Sequence, residues 1–172
     1  SSMKISSLLM LKQLLPVIKK FEKTLREKTI EFNGVIKSGR THLQDASPIT
    51  LGQEFSGYAE SIRKHYELIY YTQRHLSELG LGGTAVGTGL NTHIKYRILA
   101  VKNLSILTGL KLKLARNYFE AMQSMHPFTE LSSALRNLAL DLTRIANDIR
   151  LLASGPTTGF SEIILPAVQP GS

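Results

Sequence analysis

The feature that most constrains this chain is a run of eight apolar residues that alternate steps of three and four without an exception. Their mean spacing of about 3.5 residues is typical of a helix that packs lengthwise against other long helices, with a slight left-handed supercoil. The run predicts a helix over residues 127–153, ended by the Ser-Gly-Pro sequence at 154–156. The eight residues are Phe128, Leu131, Leu135, Leu138, Leu142, Ile145, Ile149 and Leu152.

Two more long amphipathic helices are predicted from the same kind of spacing. The first runs from Met3 to about Lys37 and contains Pro16, at which a kink or a loosely held first turn is expected. The second begins at Ser47 as N-cap, with Pro48 in the first helical position, and continues to Gly80. A shorter helix is expected over residues 92–108, and residues 157–172 are predicted to form an extended tail that is rich in turns.

No run of alternating residues predicts a strand, so the sequence favours an all-α fold, a bundle of unusually long helices. A helix of about 35 residues spans about 50 Å, which is too long for one small domain unless its neighbours are equally long. The apolar stripes of such helices exceed what one chain can cover. We therefore expect a homo-oligomer.

Composition excludes several classes of function. The 172 residues contain no cysteine, so disulfide frameworks, thiolate metal sites and cysteine nucleophiles are ruled out, and a reducing compartment is the default expectation. No stretch approaches the roughly 18 uninterrupted apolar residues that a membrane span needs, so we expect a soluble protein. We expect no nucleic-acid partner, because the basic residues behind the net charge of +8 alternate with acidic ones along the first helix. The five histidines lack metal-ligand spacing, which predicts no metal site.

Two segments between the predicted helices could carry chemistry. The segment 39–46 offers a hydroxyl at Thr41 and a base that titrates near neutrality at His42, although Thr41 and Asp45 could instead cap helix ends. The second segment, residues 79–91, holds five glycines among thirteen residues and must be a specifically folded loop. Its glycine order fits no phosphate-binding fingerprint, which favours tight packing of a turn.

Four segments, in this order, resemble landmarks of the class II fumarate hydratases and their close relatives, the aspartate ammonia-lyases. They are GRTHLQDASPITLGQEFSGY at 39–58, LGGTAVGTGLN at 81–91, IANDIRLLASGP at 145–156 and LPAVQPGS at 165–172. The resemblance is dense from residue 39 to the end and loose before it. It implies the central helical-bundle domain of that fumarase and aspartase superfamily, with residues 1–172 forming an incomplete domain.

The resemblance also implies an activity and an assembly. Members of the family are lyases that add water or ammonia reversibly, in the anti sense, across the double bond of fumarate; no cofactor is expected, and hydration belongs to the tricarboxylic acid cycle. The small dicarboxylates fumarate and malate are the implied substrates and products. The implied assembly is a homotetramer whose active sites are shared between subunits, located in the cytoplasm, or in mitochondria in a eukaryote.

Three residues fall on functional positions of the family pattern. Thr41 matches the contact to the substrate carboxylate, His42 matches the histidine that exchanges a proton with the leaving group, and Ser172 matches the serine proposed as the carbon-acid base. Because the family's substrate-binding Lys and Asn follow that serine, we expect the 172-residue chain alone to be inactive.

Fumarate hydratase is favoured over aspartate ammonia-lyase by the Gly82-Gly83-Thr84 sequence and by NYFEA at 117–121, which resembles the hydratase NKFEA with Tyr118 in place of Lys. Aspartate ammonia-lyase stays open as an alternative. A non-catalytic helical oligomerisation module is the alternative from another class of function.

Overall fold

The computed structural model describes residues 1–169 and divides the chain into two compact units, residues 1–135 and residues from 136 onward. Long helices dominate the described part, as predicted. The helices are α1 (Ser2–Glu31), α2 (Leu51–Leu76), α3 (Tyr96–Thr108), α4 (Tyr118–Gln123) and α5 (His126–Leu152), and the strands are β1 (Ile36–Thr41), β2 (Gln44–Thr50), β3 (Glu78–Leu79) and β4 (Lys113–Leu114). Within residues 1–169, no helix combines the length and the apolar character needed to cross a bilayer.

Helices α1 and α2 pack side by side in opposite directions and form the main core of the first unit. At one end, the Lys4 ammonium donates to the carbonyl oxygens of His75, at 3.2 Å, and Glu78, at 2.8 Å, so the first turn of α1 is held firmly. Burial lowers the pKa of Lys4, against the raising effect of nearby Glu120 and Glu78. The buried apolar residues of the pair include Leu8, Leu11, Leu15, Ile18 and Leu25 of α1 and Phe55, Ile62, Ile69 and Leu76 of α2.

The other end of the α1 and α2 pair depends on a glycine. A Cβ atom on Gly52 would lie 2.5 Å from the carbonyl oxygen of Thr29 and 2.8 Å from Cα of Asn33. Only glycine allows the two backbones to approach this closely. Phe32 then packs edge-on against Phe55, with ring centroids 5.2 Å apart.

The polar face of α1 is the ion-paired surface that the sequence predicts. Arg26 contacts Glu22 at 2.6 Å and Lys28 contacts Glu31 at 2.7 Å. The helix passes through Pro16 without ending there, with Leu15 and Ile18 buried on either side of the proline. Apolar packing therefore outweighs the hydrogen bond that proline removes.

The prediction of a continuous helix to Lys37, followed by a loop, is wrong. Helix α1 ends at Glu31, and residues 36–50 form an antiparallel hairpin, β1 with β2, in which Ile36 pairs with Thr50 and Thr41 pairs with Gln44. Most of β2 is exposed and little of β1 is buried. Because the hairpin buries little apolar surface, no alternation of apolar residues marks it in the sequence.

The predicted start of the second helix is also wrong, by three residues. Pro48 lies in β2, opposite Ser38, and the N-cap of α2 is Thr50. The Thr50 hydroxyl accepts a bond from the Gln53 backbone N–H while the Gln53 side chain accepts one from the Thr50 N–H, which is a complete capping box. Helix α2 ends at Leu76, before the predicted Gly80, because residues 78–79 pair with β4.

The later helices follow the sequence more closely. Helix α3 begins at Tyr96, four residues after the predicted start, and ends as predicted at Thr108, followed by the C-cap Gly109, whose φ of 65° is left-handed. Helix α5 covers the predicted range to within one residue at each end. The irregular passage before it contains the short elements β4 and α4.

In the second unit, the chain turns back on the end of α5. The backbone N–H of Glu162 donates to the carbonyl oxygen of Leu152 at 2.9 Å, and that of Ser161 donates to the carbonyl oxygen of Ser154 at 2.7 Å. Up to residue 169 the tail has no helix or strand, in agreement with the prediction of turns. The core positions Leu138, Ile145 and Leu152 of α5 are buried.

Candidate active site

Thr41 and His42 lie at the tip of the β1 and β2 hairpin, where the chain reverses direction. Thr41 is the last residue of β1, and the two residues that follow, His42 and Leu43, have φ values of 50° and 62°. Positive φ at both central residues is the mark of a type I′ turn, which matches the twist of a hairpin. Asparagine and glycine usually fill such turns, so the His-Leu sequence gave no signal for one.

The tip is exposed and the base of the hairpin is fixed. The side chain of Lys37, 8% exposed, forms an ion pair with Glu54 of α2, and the Tyr58 hydroxyl donates to the same carboxylate at 3.2 Å. Side chains at the tip, those of Thr41 and His42, face solvent. The hairpin therefore presents a hydroxyl and an imidazole on adjacent residues, well away from its anchored end.

The alternative role of Thr41 and Asp45 as helix caps is excluded. Both residues lie within the hairpin ladder, and the Asp45 carboxylate accepts a hydrogen bond from the Ser38 hydroxyl across the two strands at 3.0 Å. Neither residue adjoins the end of a helix. The polar character of segment 39–46 is therefore not explained by capping.

The glycine-rich segment is a specifically folded loop, as predicted, and it wraps around a cation. The Arg97 guanidinium donates to the carbonyl oxygens of Gly82, at 3.2 Å, and Gly87, at 3.3 Å. A Cβ atom on Gly89 would lie 2.0 Å from Nη2 of Arg97, so this glycine makes room for the guanidinium. The loop directs carbonyl oxygens toward a positive charge, the reverse of the N–H groups that bind phosphate.

Tyr118 closes the other side of the Arg97 guanidinium. The Cζ atom of Arg97 lies 4.3 Å from the centroid of the Tyr118 ring, which is a cation–π contact. Burial raises the pKa of the Tyr118 hydroxyl, while the charge of Arg97 acts in the opposite direction. The hydratase pattern has lysine at this position, and a lysine here would bring a second positive charge to Arg97; the tyrosine avoids that repulsion.

Ser172, the third residue predicted from the family pattern, lies outside the described residues. Its role as the carbon-acid base stays a prediction. The described part of the same segment runs to Gln169 and belongs to the second unit.

Comparison with known proteins identifies the family. Residues 1–172 match a protein family described as lyase. The chain belongs to the lyase family. Fumarate hydratase class II of Halalkalibacterium halodurans is 48% identical over 159 residues, which are 92% of this chain and 34% of that protein. Aspartate ammonia-lyase of a Bacillus species is 46% identical over 98% of this chain and 36% of that protein. The chain thus spans about a third of the length of the curated lyases that it matches.

Solved lyase structures share the fold. A fumarate lyase:delta crystallin from Brucella melitensis bound to cobalt matches 98% of this chain and 37% of its own, with a TM-score of 0.93 and 43% identity. A recombinant class II fumarase from Schistosoma mansoni matches 92% of this chain and 36% of its own, with a TM-score of 0.84 and 37% identity. These matches confirm the predicted helical-domain fold of the superfamily.

The fold also gathers three side chains that lie outside the motifs shared with the lyases. His75 near the end of α2 and both His126 and Glu130 in the first turns of α5 bring their ligand atoms within 4.8 Å of one another. The sequence prediction of no metal site considered only spacing along the chain, and His75 is 55 residues from Glu130. The one signal in the sequence was the i, i+4 spacing of His126 and Glu130.

Proposed function

We propose that the intact enzyme containing this chain catalyses the reversible anti hydration of fumarate to malate. The observation that carries the proposal is the 48% identity to a class II fumarate hydratase over 92% of the chain. Both the GRTHLQDA hairpin and the LGGTAVGTGLN loop, the segments that carry the resemblance, are folded around specific contacts.

The chemistry requires a fixed set of donors. Removing a proton from the carbon beside a carboxylate creates a dianionic aci-carboxylate, so donors must be held where that charge develops. We assign the Thr41 hydroxyl to a substrate carboxylate and the His42 imidazole to proton exchange with the leaving water. Ser172 is the proposed base. The adjacency of Thr41 and His42 on one turn supports their acting on a single substrate.

Backbone strain at the hairpin tip supports a functional role. Residues other than glycine pay about 1–2 kcal/mol for a left-handed conformation, and two consecutive ones occupy it here, His42 and Leu43. Such strain persists only where the surrounding structure imposes it, and it is concentrated at active sites. The anchored hairpin base supplies that constraint through Lys37 and Glu54.

We propose a homotetramer whose active sites are shared between subunits. Helix α1 carries a second apolar stripe, on a face that does not pack against α2, and its members follow a spacing of seven, seven and four residues. This spacing is the pattern of a helix that lies along another long helix. The residues are Met3, Met10, Val17 and Phe21, with exposed fractions of 61%, 72%, 63% and 36%.

Aspartate ammonia-lyase activity is the second candidate. It is favoured by the 46% identity to an aspartate ammonia-lyase of a Bacillus species, a match that covers 98% of this chain. The two reactions share the fumarate carboxylates and the carbon-acid step, and they differ in the nucleophile that is added. The residues assigned above serve both reactions.

One assay separates the candidates. The intact enzyme is mixed with fumarate, and loss of the ultraviolet absorbance of fumarate is followed with and without ammonium. Loss without ammonium supports hydration, whereas loss that requires ammonium supports the ammonia-lyase. If a folded protein consumes no fumarate under either condition, both proposals fail and a non-catalytic helical oligomerisation module is the better description.

A further inference from the structure

The cluster of His75, His126 and Glu130 has the composition of a metal site. Nδ1 of His75 lies 2.8 Å from Oε2 of Glu130, and the imidazole rings of His75 and His126 have centroids 5.2 Å apart. Two imidazoles and one carboxylate form the ligand set that zinc takes with three protein ligands. All three residues belong to the first unit.

We propose that His75, His126 and Glu130 bind one divalent transition-metal ion of the zinc class. Imidazole nitrogen favours zinc and similar ions over magnesium or calcium, which prefer sites made of oxygen atoms. The fourth coordination position is then left to water or to a small anion. The ion would join the end of α2 to the start of α5.

The geometry needs only a small adjustment to bind such an ion. Bonds of about 2.0–2.1 Å to a tetrahedral ion place the ligand atoms about 3.4 Å apart, and the three ligand atoms already lie within 4.8 Å of one another. Both histidines are exposed, so a metal ion can reach their rings from solvent. His126 and Glu130 are four residues apart on one helix, which directs both side chains to the same side of α5.

The backbone under the cluster is already fixed. The carbonyl oxygen of His75 accepts a hydrogen bond from the buried Lys4, and the backbone N–H of His126 donates to the Ser124 hydroxyl at 3.3 Å. Because these bonds hold the histidines in place before any ion arrives, ion binding orders side chains alone. The cost of assembling the site is therefore small.

The test is titration of the purified protein with zinc chloride, followed by isothermal calorimetry. We expect one zinc ion per chain with a dissociation constant below about 100 μM. His75→Asn, His126→Asn and Glu130→Gln should each weaken binding at least about tenfold, since losing a ligand should cost no less than losing an outer-shell partner. His93→Asn is the matched control, because His93 is an exposed histidine outside the cluster and its loss should leave binding unchanged.

A second measurement does not depend on the heat of binding. Zinc should raise the midpoint of thermal unfolding in the parent and in the His93→Asn variant, and not in the three ligand variants, because it binds only the folded site. Circular dichroism checks that each variant keeps its helices. Two folded variants among the three ligand substitutions are enough to decide the test. Absence of binding in the parent, or equal binding in the ligand variants, would overturn the proposal. Neither result depends on the fumarate assay.

Discussion

At the scale of single residues, the hairpin turn at His42 and Leu43 combines positive φ at both positions with the proposed proton-exchanging side chain. Both residues hold a backbone conformation that the chain would abandon if the flanking strands did not impose it. The side chain that the turn exposes is the imidazole of His42, a group able to accept and donate a proton at a leaving group. An uncommon backbone conformation and the proposed proton exchange thus coincide at His42.

Replacing His42 tests its proposed role without disturbing the turn. His42→Asn should lower kcat by about two orders of magnitude or more, which is the usual effect of losing a proton-transfer group. Asparagine tolerates positive φ better than most residues, so fold and oligomeric state should not change. The measurement is steady-state turnover of fumarate by the intact enzyme, with His93→Asn as a control. Turnover close to that of the parent would remove His42 from the mechanism.

At the scale of elements, the closest approach between α1 and α2 depends on Gly52. Gly52→Ala should destabilise the protein by about 1–3 kcal/mol, because the new methyl group would collide with the backbone of Thr29 and Asn33. Gly57 lies in the same helix with nothing within 4 Å of a Cβ atom. Gly57→Ala should instead stabilise the helix by about 0.5–1 kcal/mol.

Urea denaturation measures both glycine variants on the same scale. Opposite signs are expected for one chemical change at two sites five residues apart. Equal effects at the two positions would mean that the close approach of the backbones does not limit the packing of α1 against α2.

An ion-pair cluster across α1 and α2 should make stability depend on pH. Glu60 accepts hydrogen bonds from Arg63 at 2.7 Å and from Arg26 at 3.1 Å, and these bonds lower the pKa of its carboxyl from 4.5 to about 2. A carboxyl with a lowered pKa stabilises the fold above its unfolded pKa. That contribution is lost as pH falls through the value of the folded state.

The loss should therefore occur between about pH 5 and pH 2. We expect Glu60→Gln to flatten this part of the curve when urea midpoints are measured against pH. Glu27→Gln is the control, since Glu27 forms only a long contact of 3.7 Å with Lys23 on the exposed face of α1. A parallel curve for Glu60→Gln and the parent would contradict the prediction.

An element could be predicted from the sequence where its buried side produces a regular spacing of apolar residues. Helix α5 was predicted to within one residue at each end because a buried face repeats along its length. The hairpin was missed because it buries little apolar surface and therefore leaves no alternation in the sequence. The Ser47-Pro48 sequence imitates a helix start inside β2, while the true start at Thr50 is marked by the partner three residues later, Gln53.

At the scale of the whole molecule, α1 presents an exposed apolar stripe that could hold subunits together. Leu131, Leu138, Ile145 and Leu152, which the sequence predicts to face other helices, are already buried in the single chain. The residues of the exposed apolar stripe of α1, in contrast, are not buried in the single chain. Tetramer formation is therefore better tested on the α1 stripe than on these four residues of α5.

Met10→Glu should weaken the proposed tetramer, because association would bury the new carboxylate in an apolar contact. The monomer should fold normally, since Met10 is 72% exposed. Lys23→Gln is the control, with the same change in net charge at a position away from the stripe. Sedimentation velocity reports the oligomeric state. An unchanged tetramer in the Met10→Glu variant would show that this stripe is not an interface.

The candidate sites divide in the same way between local and long-range information. The sequence alone shows that Thr41 and His42 are adjacent, and it also shows the family motif around them. Their place on a strained turn required the strand pairing. The contact between His75 and Glu130 could not be predicted in this way, because it forms only where the end of α2 meets the start of α5 and residue spacing does not reveal that contact.

Because the hairpin is anchored at its base, a small rotation of β1 about the Lys37 and Glu54 ion pair moves the tip by a larger distance. From Lys37 to Thr41 the strand extends about 14 Å, at about 3.4 Å per residue. A tilt of only about 5° at the Lys37 and Glu54 ion pair would displace the tip by about 1.2 Å, more than twice the tolerance of about 0.5 Å that a working site allows. Small rotations at this ion pair are thus magnified into displacement of the Thr41 hydroxyl and the His42 imidazole, and a contact remote from the proposed site sets the position of both.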